Sequence, residues 1–190
     1  MKTKTEVKVR LEPGARMPVR AHDTDTGYDI HVWKVSFAGG TWGSVSFLRD
    51  KAKAWFGGDN KVYSLLNAFF DSKFMKTISK PSVVIIDTGV AVQPPEGYYF
   101  KGYPNSRSAK RGYILGNCVG VIDQGYTGTI KYIYKILPWC SDEDYNNLIK
   151  EGSVCGQIVL SKRNDADFKQ VDSLDETDRN EGGFGSTEGK

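Results

Sequence analysis

The sequence predicts a mainly β protein, a sandwich or barrel, interrupted by a short helical insertion. Three observations carry this expectation. Short apolar segments recur along the chain with Gly, Pro, Asn and Asp between them, the spacing of strands joined by turns. One of them alternates apolar and charged residues with period two, as a half-buried strand does. One stretch in the first half breaks that rhythm with apolar residues at helical spacing.

In chain order, "EVKVRL" alternates Val7, Val9 and Leu11 with charged residues and reads as a half-buried strand. "SVVIIDTGVAV", closed by the turn "PPEG", reads as a single, more deeply buried strand. "YYFKGY", "GYILGN", "GTIKYIYKIL" and "VCGQIVL" add further short strands. Between the first two groups, "DNKVYSLLNAFF" places Val62, Leu65, Leu66, Phe69 and Phe70 on one helical face, with Asp59 or Asn60 as the cap. "FLRDKAKAWF" puts Leu48, Trp55 and Phe56 on a second helical face, and Gly57-Gly58 ends it. Residues from about 37 to 77 therefore read as a helical insertion within a single domain spanning 1–190. From about Lys162 onward the chain turns polar and ends in "RNEGGFGSTEGK"; composition alone makes this tail disordered.

At 190 residues, with 39% hydrophobic and 12% aromatic content, the chain holds enough apolar surface for one core. A net charge of +3, spread over ions of both signs, gives no polycation for nucleic acid. Cys118, Cys140 and Cys155 are odd in number and lack metal-site spacing, so buried reduced thiols are expected. No apolar signal core opens the chain and no run of about 18 apolar residues occurs, so a cytoplasmic protein with no membrane partner is expected. His22 and His31 are the only histidines, which leaves proton transfer to a carboxylate.

Five stretches have residues suited to chemistry. "GVIDQGYTG" encloses Asp123 and Tyr126 between glycines: either an ordinary hairpin, or a carboxylate that orients water beside a ring that covers a sugar. "YPNSRSAKRG" gathers Asn105, Ser106, Arg107, Ser108, Lys110 and Arg111, a solvated basic loop or a set of donors for polyphosphate oxygens. "TDTGYDI" sets Asp25 and Asp29 around a Gly-Tyr pair, as a turn or as carboxylates holding magnesium-bound water. In "EGSVCGQIVL" Gln157 is the one clear polar side chain of an apolar strand, and a backbone-satisfied glutamine is its plain explanation. The tail joins Arg179, close-approach glycines, the Phe184 ring and the Ser186 and Thr187 hydroxyls, a combination that suits a phosphorylated nucleotide.

Taken in this order, the five stretches resemble the five motifs of the trimeric dUTPase family, over nearly the whole chain outside the helical insertion. The resemblance implies a jelly-roll, dUTPase-like β-barrel and a homotrimer with shared active sites. It also implies a flexible C-terminal arm, about 174–190, that closes over bound dUTP, and hydrolysis of dUTP to dUMP and pyrophosphate with Mg2+. By the same resemblance Asp123 is the base that activates water, and Tyr126 packs on deoxyribose. Asn117 reads the uracil edge with backbone groups of Gly120, Val121 and Ile122. Asn105, Ser106, Arg107 and Lys110 surround phosphate, Gln157 lies near the nucleotide, and Asp29 supports the metal through water. Phe184 stacks on uracil, while Arg179, Gly185, Ser186 and Thr187 hold the distal phosphates.

Several positions depart from the family pattern. Asn105 stands where arginine usually precedes the serine, and a shifted match would use Arg107-Ser108 instead. Thr127 replaces a frequent arginine or glutamine, and Ser153-Val154 replaces an acidic-basic pair. Asn180 and Glu188 stand where glycine is usual. Two alternatives are a related dCTP deaminase, whose glutamate would fall near Ile133 where "TIKYIYK" has none, and a non-catalytic regulatory protein. In the latter, Trp42, Trp55, Phe69 and Phe70 of the insertion would contact a protein partner.

Overall fold

The computed structural model describes residues 5–38, 52–58, 61–70 and 81–180. Two four-stranded antiparallel sheets face one another, and a two-stranded ribbon joins them. The first sheet has the order β2 (Tyr28–His31), β10 (Val154–Lys162), β6 (Tyr98–Tyr103), β8 (Gly120–Ile122). The second has the order β3 (Lys34–Ala38), β4 (Val83–Asp87), β9 (Lys131–Ile136), β7 (Tyr113–Leu115). The ribbon pairs β1 (Lys8–Leu11) with β5 (Val90–Gln93). This is the mainly β sandwich that the short-strand pattern predicts, in the jelly-roll form that the resemblance implies.

Alternation along each strand builds the core. Ile30, Phe100, Ile122 and Ile158 of the first sheet meet Val84, Ile86, Tyr132 and Tyr134 of the second in one buried cluster. On β9 the neighbours Lys131, Ile133 and Lys135 point the other way, toward solvent. The two buried phenols are satisfied across the sandwich: Tyr132 donates to the Gln157 carbonyl at 2.8 Å and Tyr134 to that of Cys155. Burial pushes both phenols and the Cys155 thiol well above their ordinary pKa values, so all three stay neutral. Cys140 and Cys155 are buried reduced thiols as expected, whereas Cys118, in the loop between β7 and β8, is exposed.

Three features differ from the sequence reading, the first being β3, which forms where the sequence shows no strand pattern and runs into the expected start of the helical insertion near residue 37. "SVVIIDTGVAV" is two strands, because Thr88-Gly89 turns the chain: Gly89 has φ 63°, and the Thr88 hydroxyl donates to the Ile130 carbonyl while accepting from Val90 N–H. A helix, α2 (Asp142–Ile149), occupies a stretch with no strong apolar period; Ser141 caps it by accepting from Asp144 N–H at 3.0 Å. The helix α1 (Lys61–Phe70) lies within the "DNKVYSLLNAFF" stretch, and residues 52–56 are also helical. Tyr63 and Leu66 pack on buried Ala52, whereas Trp55 and Leu65 are exposed. Leu48, Trp42 and the cap residues Asp59 and Asn60 lie outside the described residues.

Candidate functional site

β8 ends at buried Ile122 and delivers Asp123 to the surface at the start of a turn closed by Tyr126 N–H donating to the Asp123 carbonyl at 3.1 Å. Tyr126 is half exposed, and its hydroxyl donates to the Thr129 carbonyl at 2.9 Å. The ring lies so close over Gly128 that a Cβ there would sit 2.6 Å from the Tyr126 hydroxyl oxygen, which makes glycine necessary at this position. Thr129 is held in turn: its Oγ1 donates to Asp87 at 3.0 Å and accepts from Lys131 Nζ at 2.9 Å. Asp87 also accepts from Gly89 N–H at 2.9 Å, so the turn is fastened to the end of β4.

This turn forms one wall of a cleft of about 280 Å³ that Asn117, Gly120, Val121, Ile122, Asp123 and Tyr126 line. Asp123 is the only carboxylate among the lining residues. Asp123 and Val121 also border a wider trough beside Tyr98, Tyr99 and Arg163. The sequence-predicted residues of the "GVIDQGYTG" stretch are therefore brought together with Asn117 in one recess.

Five further predicted residues, Asp29, Asn105, Ser106, Arg107 and Gln157, line a separate groove of about 740 Å³. Asn105 shapes the entry, since its Oδ1 accepts from Arg107 N–H and from the Ser108 hydroxyl, both at 3.1 Å. That bond accompanies a buried Ser108 and an exposed Ser106, so Ser106 and not Ser108 is accessible from the groove. Lys110 is exposed on the same loop and lines neither cavity. Gln157 pairs with Asp29 across β10 and β2, and its side chain lies over Gly27, where a Cβ would fall 2.2 Å from Oε1. Gln157 is thus a groove residue with a glycine cleared for it, and its own carbonyl serves Tyr132.

Two basic residues of this groove, Arg16 and Lys150, lie outside the motif stretches, and a third, Arg111, lies within "YPNSRSAKRG". Arg16 comes from the segment after β1 and donates to the Gly152 carbonyl at 3.1 Å. Arg111 pairs with Asp144 of α2 at 3.4 Å. Next to Asp29, His31 has its pKa lowered, first by burial and then by the Arg16 charge, with Asp29 pulling the other way. Among the described residues no three His, Cys, Asp or Glu side chains are grouped to cage a metal. Residues 163–176 carry no strand or helix and are exposed. At the end of the described chain Thr177 and Asn180 exchange hydrogen bonds, and Asn180 adopts φ 42°, a conformation that asparagine tolerates in place of glycine. Phe184, Gly185, Ser186 and Thr187 lie outside the described residues.

The molecule is a jelly-roll barrel with a cleft beside Asp123 and a second groove that carries several basic side chains. The dUTPase family model matches residues 71–188, so the chain belongs to the dUTPase family. A deoxyuridine 5'-triphosphate nucleotidohydrolase of Finegoldia magna is 44% identical over 104 residues, covering 54% of this chain and 69% of the relative. That of Escherichia phage T5 is 37% identical over 129 residues, covering 66% and 84%. Among solved structures, the dUTPase of Staphylococcus bacteriophage 80alpha bound to dUpNHpp superposes with a TM-score of 0.60 at 20% identity, covering 97% of this chain and 99% of that one. The dUTPase of phage phi11 of S. aureus, described with a structural Mg(II) ion, superposes with a TM-score of 0.56 at 21% identity, covering 90% and 99%. At such identities the structures speak for the fold.

Proposed function

We propose that the protein hydrolyses dUTP to dUMP and pyrophosphate, with Asp123 orienting and deprotonating the water that attacks the α-phosphorus. The observation that carries this reading is the cleft itself, where a single carboxylate, an aromatic ring and an amide converge beside the exposed backbone of Gly120, Val121 and Ile122. Asn117 and that backbone read the uracil edge, and Tyr126 covers the deoxyribose so that a 2′-hydroxyl is excluded. The phosphates run to the groove, where Ser106 and Arg107 donate on a loop shaped by Asn105, Gln157 contacts the nucleotide, and Lys110 adds charge nearby. Arg179, Phe184, Gly185, Ser186 and Thr187 belong to an arm that closes on the bound nucleotide.

Asp29 and Glu151 are the carboxylates of a groove otherwise lined by neutral and basic residues, and Asp29 suits a hydrated ion held through water. Asp29 and the phosphate oxygens would hold Mg2+, which neutralises developing phosphate charge. The cleft and the groove share no lining residue, which favours a homotrimer in which the cleft of one copy is completed by the groove of another. The exposure of Trp55 and Leu65 favours an additional contact role for the helical stretch. A deaminase is disfavoured because Lys131, Tyr132 and Ile133 bring no second carboxylate to the cleft.

The test is incubation with dUTP, dCTP, dTTP and UTP in magnesium, assaying pyrophosphate and ammonia. Pyrophosphate from dUTP alone is expected, with kcat reduced at least about a hundredfold in Asp123→Asn. Ammonia from dCTP, or no turnover of dUTP by the folded protein, would overturn the reading.

A further inference from the structure

We propose that Arg16 is a phosphate-binding residue of the groove, a fixed guanidinium that none of the sequence motifs contains. The inference rests on the dUTP reading and adds to it a cation from outside the five motif stretches. The segment carrying Arg16 is tied on both sides: Ala15 N–H donates to the Glu12 carbonyl at 2.9 Å, and Val19 and Asp29 exchange backbone hydrogen bonds at 3.2 and 2.6 Å. Between these ties Arg16 reaches the turn between α2 and β10. Nη1 donates to the Gly152 carbonyl, and the guanidinium lies over the Gly152 Cα, where a Cβ would stand 2.7 Å from Nη2 and 2.9 Å from Cζ. Gly152 has φ 75°, so the turn both requires glycine and opens the space the arginine occupies.

That platform is rigid. Gly152 N–H donates to the Val32 carbonyl at 2.8 Å, and the Ser153 hydroxyl closes onto the Lys150 carbonyl at 2.7 Å. A guanidinium has five N–H donors in a planar fork, and the bond to Gly152 uses one of them. Arg111 pairs with Asp144, and Arg16, Arg107 and Lys150 are all exposed, but Arg16 is the one of these three held by the Gly152 carbonyl, which lowers the cost of ordering it on an anion. Asn105 and Val154 also line this groove, so two positions where the family pattern would place basic residues are neutral here, and Arg16 supplies positive charge in the same groove. Asp29 and Glu151 are the carboxylates of the same groove, and Arg16 offsets their repulsion of a triphosphate.

The experiment measures dissociation constants of deoxyuridine, dUMP, dUDP and the imido analogue of dUTP for the wild type, Arg16→Gln and Arg16→Lys, with magnesium present. The expected result for Arg16→Gln is an unchanged constant for deoxyuridine and a loss that grows with phosphate number, to about ten- to a hundredfold for the imido analogue. Arg16→Lys is expected to recover part of the loss, because charge returns without the fork. Equal losses along the series would mark a merely structural role and overturn the proposal, as would constants within about twofold of wild type. If Arg16→Gln fails to fold, the same series on Arg16→Lys decides, with unchanged binding of the imido analogue overturning the proposal. Wild-type protein that neither binds the imido analogue nor turns over dUTP would overturn this proposal together with the function; normal wild-type binding with an indifferent Arg16→Gln would overturn this one alone.

Discussion

Tyr126 is held at three removes. Its hydroxyl is bonded to the Thr129 carbonyl, Thr129 is bonded to Asp87 and Lys131, and Asp87 is bonded to Gly89. A ring that is to reject one extra hydroxyl on a sugar must not drift, since an angstrom of slack removes the clash that discriminates. Thr129→Val keeps the shape of the side chain, removes the bond to Asp87 and leaves the carbonyl acceptor of Tyr126 in place. The expected outcome is a fall in the ratio of kcat/KM for dUTP over UTP by about 1 kcal/mol, roughly fivefold, with little change in thermal stability. An unchanged ratio would show that the ring is held by its own packing over Gly128. This frame was not legible in the sequence, because Asp87 and Thr129 lie 42 positions apart and only the antiparallel register of β4 and β9 joins them. Asp123, Tyr126 and Asn117 were legible because they fall within one short run on either side of β8.

At the scale of elements, β2 and β10 form the floor of the groove, and His31 closes the β2 end of that pairing opposite Val154. Its Nδ1 is buried with no hydrogen-bond partner among the described residues. With its pKa lowered by burial and by Arg16, the folded state binds the His31 proton less readily than the unfolded chain does. His31 therefore contributes no penalty above its ordinary pKa of about 6.5, and stability is lost as pH falls from there through the lowered folded value. Urea unfolding at several pH values across that window should show a steeper decline for the wild type than for His31→Gln; identical slopes would remove His31 from the account. The element pattern itself was only partly legible. Strands with clear alternation or long apolar runs, such as β1, β6 and β9, could be read directly. β3 carries no buried residue, and α2 buries only Leu148, so neither leaves a strong period behind; the signal for α2 was Ser141 followed by three acids.

For the whole molecule the question is how a cleft and a groove with no residue in common serve one substrate. The homotrimer reading answers it by pairing the cleft of one copy with the groove of the next, and mixing experiments test that directly. Asp123→Asn spoils the cleft and Gln157→Ala spoils the groove, so each variant alone is expected to be nearly inactive. Unfolded together and reassembled at equal amounts, they should regain about a quarter of wild-type activity, because random assembly joins an intact cleft to an intact groove in about that share of sites. No recovery from a mixture shown to co-assemble would mean that each chain completes its own site.

The same division of labour has a genetic consequence. In the homotrimer reading, a chain whose cleft is ruined but whose fold is sound still enters assemblies beside two healthy neighbours, and a chain with a ruined groove does the same. Harm and rescue then depend on which half each allele has lost: two broken gene copies complement when their lesions lie in different halves and fail when they share one. Lesions in this protein should therefore sort into two complementation groups, whose boundary follows the line between the cleft and the groove.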